Sequence, residues 1–200
     1  MNFSTMSASV YVQDNYKVSS SLSLNLGLRW EMNSPLREEH NYVNSFDRTT
    51  GAPIVAATAG QKDYVYGYDY GAIAPRLGFA WQPFADGKTV LRGGFGTFFN
   101  RIPVGSQGFL IWGQYPFTTV TTYTSSRTQP VTLANAFPTS NAVAGVAVSG
   151  VDADYKNPRT YQWSLGIQRQ LPWGVTADVA YVGSIARNQL ISTNINQASP

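Results

Sequence analysis

Residues 22–31 read Leu-Ser-Leu-Asn-Leu-Gly-Leu-Arg-Trp-Glu, and this stretch decides the fold class. Apolar side chains alternate here with polar or small ones without a break, the apolar positions being Leu22, Leu24, Leu26, Leu28 and Trp30. In a β-strand, side chains separated by two residues share a face. The stretch therefore predicts a strand with one apolar face and one polar face.

The same alternation recurs along the chain. Residues 160–171 carry an apolar row that only Arg169 interrupts, and its members include Tyr161, Trp163, Leu165 and Ile167. Weaker versions of the pattern follow in four other segments. Together they predict six strands, near residues 8–16, 21–33, 71–84, 89–101, 159–171 and 175–188.

The predicted connections differ in length. Short segments rich in Gly, Pro, Asp or Ser, at residues 17–20, 85–88 and 172–174, are typical of tight turns. The other two connections are long and cover residues 34–70 and 102–158. Short turns at one end and long loops at the other are the arrangement of outer-membrane barrels. We therefore expect an all-β, antiparallel up-and-down meander of about six strands, forming part of a transmembrane β-barrel with long external loops.

The composition excludes several function classes. Charged residues make up 12% of the 200 residues, about half the usual share. There is no cysteine, which removes disulfides and thiol chemistry, and the net charge of +3 comes from scattered residues, so we expect no nucleic-acid partner. The mean hydropathy of −0.18 and the lack of a long apolar run argue against membrane-spanning helices.

Periodicity alone leaves a second fold open, a soluble β-sandwich whose strands also alternate. That protein would be a secreted binding module for a carbohydrate or protein ligand, using tyrosines of the loops such as those in residues 64–70. The charge deficit and the unequal connections favour the barrel, because the solvent face of a sandwich carries more charge. The nine residues of 22–30 would span a little over 20 Å at a tilt of about 45°, which fits an outer-membrane apolar band.

Two rows of candidate site residues follow from the alternation. The candidate lipid-facing residues are Leu22, Leu24, Leu26, Leu28, Trp30, Trp163, Leu165 and Ile167. The candidate lumen-facing polar residues are Arg29, Glu31, Arg76, Arg92 and Asp178. We expect these charges to pair with one another across the barrel wall. The alternative is that they contact a plug or a passing solute.

The pattern offers no catalytic, cofactor or metal site, and we expect no enzyme activity and no cofactor. His40 is the only histidine, and its neighbours Glu38 and Glu39 suggest a solvated loop cluster better than a metal site. The glycines of residues 92–96 lie inside a predicted strand, where they indicate curvature, a close neighbour or room in the lumen and not a phosphate cradle.

Several motifs resemble one family of transporters. Tyr-Val-Gln-Asp-Asn-Tyr-Lys-Val at residues 11–18, followed by Gly-Leu-Arg-Trp-Glu at residues 27–31, resembles a hairpin of TonB-dependent outer-membrane transporter barrels. Residues 74–81 and 91–99 resemble the next hairpin, and residues 157–171 are similar to the following strand in the Oar-like branch.

The resemblance implies a 22-stranded barrel around a plug domain, with energy supplied by a TonB protein through a TonB box. It also implies contact with outer-membrane lipid and a location in the outer membrane of a Gram-negative-type bacterium. No signal peptide, plug or TonB box is recognisable in the sequence. We therefore expect the chain to be an internal fragment of such a transporter, residues 1–200 supplying part of the barrel wall and external loops for uptake or export of a bulky solute.

Overall fold

The computed structural model describes residues 2–58, 60–101, 103–137, 142–145 and 149–194. Its strands in chain order are β1 Phe3–Ser4, β2 Ser7–Lys17, β3 Leu22–Asn33, β4 Arg37–Glu38, β5 Asn44–Phe46, β6 Pro53–Val55, β7 Asp69–Trp81, β8 Thr89–Phe99, β9 Val120–Tyr123, β10 Ala142–Gly145, β11 Arg159–Gln170 and β12 Thr176–Arg187. A short α-helix, α1 Val104–Ile111, lies between β8 and β9, and a single turn of 3₁₀ helix spans Pro172–Gly174. Among the described residues, no helix has the length and apolar character needed to cross a membrane.

Six long strands form one sheet in the order β12-β11-β8-β7-β3-β2. Every neighbouring pair in it is antiparallel. The prediction of an antiparallel up-and-down meander of six strands is therefore confirmed. The long strands occupy the segments in which apolar and polar residues alternate, because that alternation suits a sheet with two unlike faces.

Short turns join the strands in pairs. Between β7 and β8, the backbone N–H of Lys88 donates to the Asp86 carboxylate at 3.1 Å, and Gly87 takes a φ of +64° that favours glycine. Between β11 and β12, Gly174 has a φ of +76°. The positive φ values explain why glycine occurs at position 87 and at position 174.

The two long connections are not simple loops. The chain divides into two compact units, of which the sheet unit comprises Ser7–Asn33, Tyr68–Ile102 and Lys156–Pro200. The other, the loop unit, comprises Met1–Met6, Ser34–Gly67 and Pro103–Tyr155. It contains the short strands, the helix and a buried hydrophobic core formed by Leu36, Val43, Ala56, Val65, Tyr66, Ile111 and Val151. The sequence pattern did not predict this core.

Contacts between distant parts of the chain hold the loop unit together. The Tyr66 hydroxyl accepts a hydrogen bond from the Leu36 backbone N–H at 2.8 Å. The Ser45 hydroxyl donates to the carbonyl of Val151, 106 residues away, at 2.9 Å. A Cβ at Gly150 would lie 2.3 Å from Ser45 Oγ, so only glycine fits there. Tyr66 is therefore part of the core and is not available to a ligand.

Candidate functional site

The two faces of the six-stranded sheet are the candidate functional surfaces, and the strand register defines them. Residues that are direct partners across an antiparallel pair point to the same side. The register pairs Leu28 with Pro75, Leu26 with Leu77 and Leu24 with Phe79. The same rule applied across the other strands produces one apolar face that runs through the whole sheet.

All eight candidate lipid-facing residues lie on this apolar face. Trp163 is paired with Phe95, Leu165 with Tyr181, and Ile167 with Leu91. Many side chains of the face are exposed, including Leu165 at 55%, Val179 at 69% and Tyr181 at 65%. Extended apolar surface of this kind is rare on a water-soluble monomer.

Aromatic rings cover the glycines of the apolar face. A Cβ at Gly93 would lie 2.3 Å from the Phe79 ring, and a Cβ at Gly183 would lie 2.5 Å from the Trp163 ring. Each ring therefore occupies the space that a side chain on the neighbouring strand would take, which is a known way to stabilise glycine in a sheet.

The apolar face contains a few charged residues. Asp14 on β2 is the direct partner of Leu26 on β3, so its carboxylate lies within the apolar rows. Arg169, the interruption seen in the sequence, lies near the turn end of β11, where its guanidinium donates to Thr89 Oγ1 at 2.6 Å. Arg159 and Arg187 are direct partners at the opposite end of β11 and β12. The alternation did not single out this last pair, because only the register brings it together.

The five candidate lumen-facing residues share the opposite, polar face. Arg29 Nε lies 3.1 Å from Glu31 Oε2, on the same strand. The Arg76 guanidinium lies 5.0 Å from the ring centre of Phe98 on the adjacent strand. Within the described parts of the chain, no ion pair joins two of the five across strands. The prediction of cross-strand pairing is therefore wrong for these residues.

A cavity of about 260 Å³ opens on the polar face between β8, β11 and β12. Its lining includes Gly94, Ser164 and Gly166, together with the charged residues Arg92 and Asp178. A Cβ at Gly94 or Gly166 would find its nearest atom at 3.5 Å or 3.4 Å, so the backbone leaves room for a small side chain at both positions. These glycines therefore keep open a space that the packing of the strands does not need.

One side-chain contact links the segment after β8 to the far strand β2. Arg101, just beyond β8, donates to Ser7 Oγ on β2 at 3.2 Å. Three strand intervals separate β2 from β8, about 14 Å across a flat sheet. The chain beyond β8 and the arginine side chain therefore reach back across the loop end of the sheet to β2.

In the loop unit, the cluster around His40 is better ordered than the sequence indicates. Glu38 is only 4% exposed, so the expectation of a solvated cluster is wrong for this carboxylate. It accepts hydrogen bonds from the backbone N–H groups of His40 and Tyr42, at 2.8 Å and 3.1 Å. Burial alone would raise the pKa of Glu38, but these bonds and the imidazole of His40 lower it below its ordinary value. No group of three or more potential metal ligands occurs among the described residues.

Comparison with known proteins gives one match. A family model described as "Outer membrane beta barrel domain" matches residues 1–200. No curated protein and no solved structure matches the chain.

Proposed function

The chain belongs to the outer membrane beta barrel domain family, and from that premise we propose that it forms part of the barrel wall of a TonB-dependent, Oar-like transporter. Membership places it in the outer membrane in association with lipid, in a structural or transport role. The observation that carries the proposal is the exposed apolar face, which six antiparallel strands share opposite a polar one.

In this proposal the apolar face contacts lipid and the polar face lines the lumen. Lipid supplies the apolar surroundings that the exposed side chains of Leu165, Val179 and Tyr181 lack in water. The aromatic rings over Gly93 and Gly183 smooth the surface that lipid chains meet. Arg29, Glu31, Arg76, Arg92 and Asp178 then project into an aqueous interior.

The cavity beside Arg92 and Asp178 leaves space for another polypeptide segment, which supports the proposal that a plug fills the lumen. A plug domain would place polar groups against these charges, and a TonB protein would act on that plug. The remainder of the barrel would pair with the edge strands β2 and β12. The cargo in this proposal is a bulky solute, taken up or exported, and the loop unit forms part of the external surface it meets.

The soluble sandwich with loop tyrosines as its binding residues is not favoured. A sandwich buries the apolar faces of two sheets against each other, whereas the apolar face of this sheet is exposed. Of the loop tyrosines, Tyr66 is buried, and its ring lies edge-on to Tyr155 at 5.1 Å.

Neighbouring residues on β11 test the orientation. Leu165 lies five residues from the turn end of β11, about 12 Å along the membrane normal and close to the midplane. Leu165→Arg should cost about 2–4 kcal/mol of folding free energy in a bilayer. Ser164→Arg, the matched control, should change stability little, because Ser164 borders the open cavity. Leu26 is less suitable for this test, because an arginine there would lie opposite the Asp14 carboxylate, which would offset its cost.

Unfolding of the full-length protein in phosphatidylcholine vesicles, followed by urea titration, measures both variants. Equal destabilisation at the two positions, or a larger cost at Ser164, would overturn the orientation.

Photo-crosslinking tests the occupied lumen with a second adjacent pair. A crosslinking amino acid at position 178 faces the polar side, and one at position 179 faces the apolar side, because Asp178 and Val179 are consecutive on β12. We expect the probe at 178 to link to a plug segment and the probe at 179 to link to lipid. A probe at 178 that captures no polypeptide in the intact cell envelope would contradict the plug-filled transporter.

A further inference from the structure

Two arginines lie side by side at the loop end of the apolar face. Arg159, the first residue of β11, is the direct register partner of Arg187, the last residue of β12. They belong to the same rows as Leu165 and Val179, since each lies an even number of residues away along its strand. Like charges directly opposite each other on an antiparallel pair repel, so this arrangement is unfavourable unless an anion lies between them.

No protein group in the described ranges neutralises this arginine pair. None of the ion pairs found there includes Arg159 or Arg187. The Nε of Arg159 is buried and has no acceptor. Across the strand on its other side, Arg159 is partnered by Phe99, an apolar residue. Two opposed guanidinium groups without a carboxylate partner favour an anion that binds their other N–H groups from outside the sheet.

Arg169 provides a contrast on the same strand and the same face. It lies at the turn end of β11, and its guanidinium donates to Thr89 on β8 at 2.6 Å. It has no arginine opposite, since its partner on β12 is Ala177. At the turn end of β11, a protein group accepts a hydrogen bond from the arginine. At the loop end, the guanidinium groups of the arginine pair can bind a ligand.

The depth of the pair in a membrane suggests the ligand. Arg187 lies 11 residues beyond Thr176, where β12 begins. At about 3.3 Å per residue and a tilt of about 45°, this is about 26 Å along the normal, close to the 25 Å height of an outer-membrane apolar band. Tyr161, two residues inward from Arg159, lies where an aromatic girdle is expected. The guanidinium groups are thus placed at the level of lipid headgroups.

We propose that Arg159 and Arg187 together bind a phosphate group of a phosphorylated lipid in the outer leaflet of the membrane. The planar guanidinium donates two parallel hydrogen bonds to phosphate oxygens, and two of them around one phosphate turn the repulsion into attraction. This proposal rests on the proposed function, since it needs the apolar face to contact lipid and the loop end to face outward.

The experiment reconstitutes the full-length protein in phosphatidylcholine vesicles with increasing fractions of bisphosphorylated lipid A and measures the apparent Tm. A lipid that binds the folded state raises the Tm as its fraction increases. We expect the double variant Arg159→Gln with Arg187→Gln to need about tenfold more lipid A for the same rise. The Arg169→Gln control should follow the wild-type protein. Without lipid A, the double variant should be at least as stable as wild type, because it lacks the repulsion.

Each other outcome would overturn the proposal. The site is not a phosphate site if the double variant responds to lipid A as wild type does. It is not a lipid site if inorganic phosphate at matched concentration raises the wild-type Tm as much in vesicles without lipid A. Leu165→Arg in the same vesicles separates the two proposals. If it destabilises while the double variant behaves as wild type, only the phosphate site fails, and if it is tolerated, the orientation of the wall fails.

Discussion

The sheet unit and the loop unit use the same apolar residue types in opposite ways. In the loop unit, Leu36, Val43 and Ile111 are completely buried. In the sheet unit, the apolar side chains of β11 and β12 project outward, and Leu165 is more than half exposed. The difference shows that the loop unit forms its own hydrophobic core, as a protein in water does, whereas the sheet leaves many side chains of its apolar face exposed. In the proposed function, lipid surrounds that face.

Truncating a leucine in each unit tests this comparison with the largest expected effect. Leu36→Ala leaves a cavity in the core of the loop unit and should cost about 2–5 kcal/mol. Leu165→Ala should cost only about 0.5 kcal/mol in a bilayer, since lipid chains fill the space. Limited proteolysis of the long connections and urea unfolding in vesicles measure the two effects. A cost at Leu165 as large as at Leu36 would mean that protein packs on the apolar face.

Replacing one glycine by alanine on each face of the sheet should change stability by an intermediate amount. Gly183→Ala would bring a Cβ to 2.5 Å from the Trp163 ring, and the displaced ring should cost about 1–3 kcal/mol. Gly166→Ala borders the open cavity and should be neutral or stabilising by up to about 1 kcal/mol. Unfolding in vesicles, with tryptophan fluorescence as the signal, compares them. Similar costs at both glycines would show that the polar face is as closely packed as the apolar one.

The smallest expected effect is a pH dependence confined to the loop unit. The pKa of Glu38 is lowered from 4.5 in the folded protein, so near that pH the unfolded chain binds more protons than the folded one. The stabilisation is therefore complete above pH 4.5 and is lost as the pH falls through the lowered value. The loss of stabilisation can be measured as the rate of proteolysis of the long connections between about pH 6 and pH 3, the range in which carboxyl groups titrate. Glu38→Gln serves as the control, and the same pH dependence in this variant would assign the loss to another group.

Much of the sheet could be predicted from the sequence because its order is local. Alternation between neighbours assigned Leu22 to Trp30 to one face and Arg29 and Glu31 to the other, and the register agrees. The loop unit could not be predicted in this way. Its core joins Leu36 to Tyr66 and Ser45 to Val151, and such contacts leave no periodic trace in the sequence.

The candidate site shows the same division. The register places the five polar residues on a common face, but the alternation could not give their partners, because pairing depends on side-chain directions across strands. Arg76 stacks on Phe98 instead of meeting an acid, and Arg92 borders a cavity with Asp178.

The sequence by itself determined that the chain forms amphipathic antiparallel strands with short turns, since a period of two and turn residues act between near neighbours. Only the tertiary structure decided the register of each strand pair, that Arg159 lies opposite Arg187, and that the long connections form a core of their own. The reason is physical, because register and core packing are set by contacts between residues far apart in the chain, and each such contact depends on the others being formed.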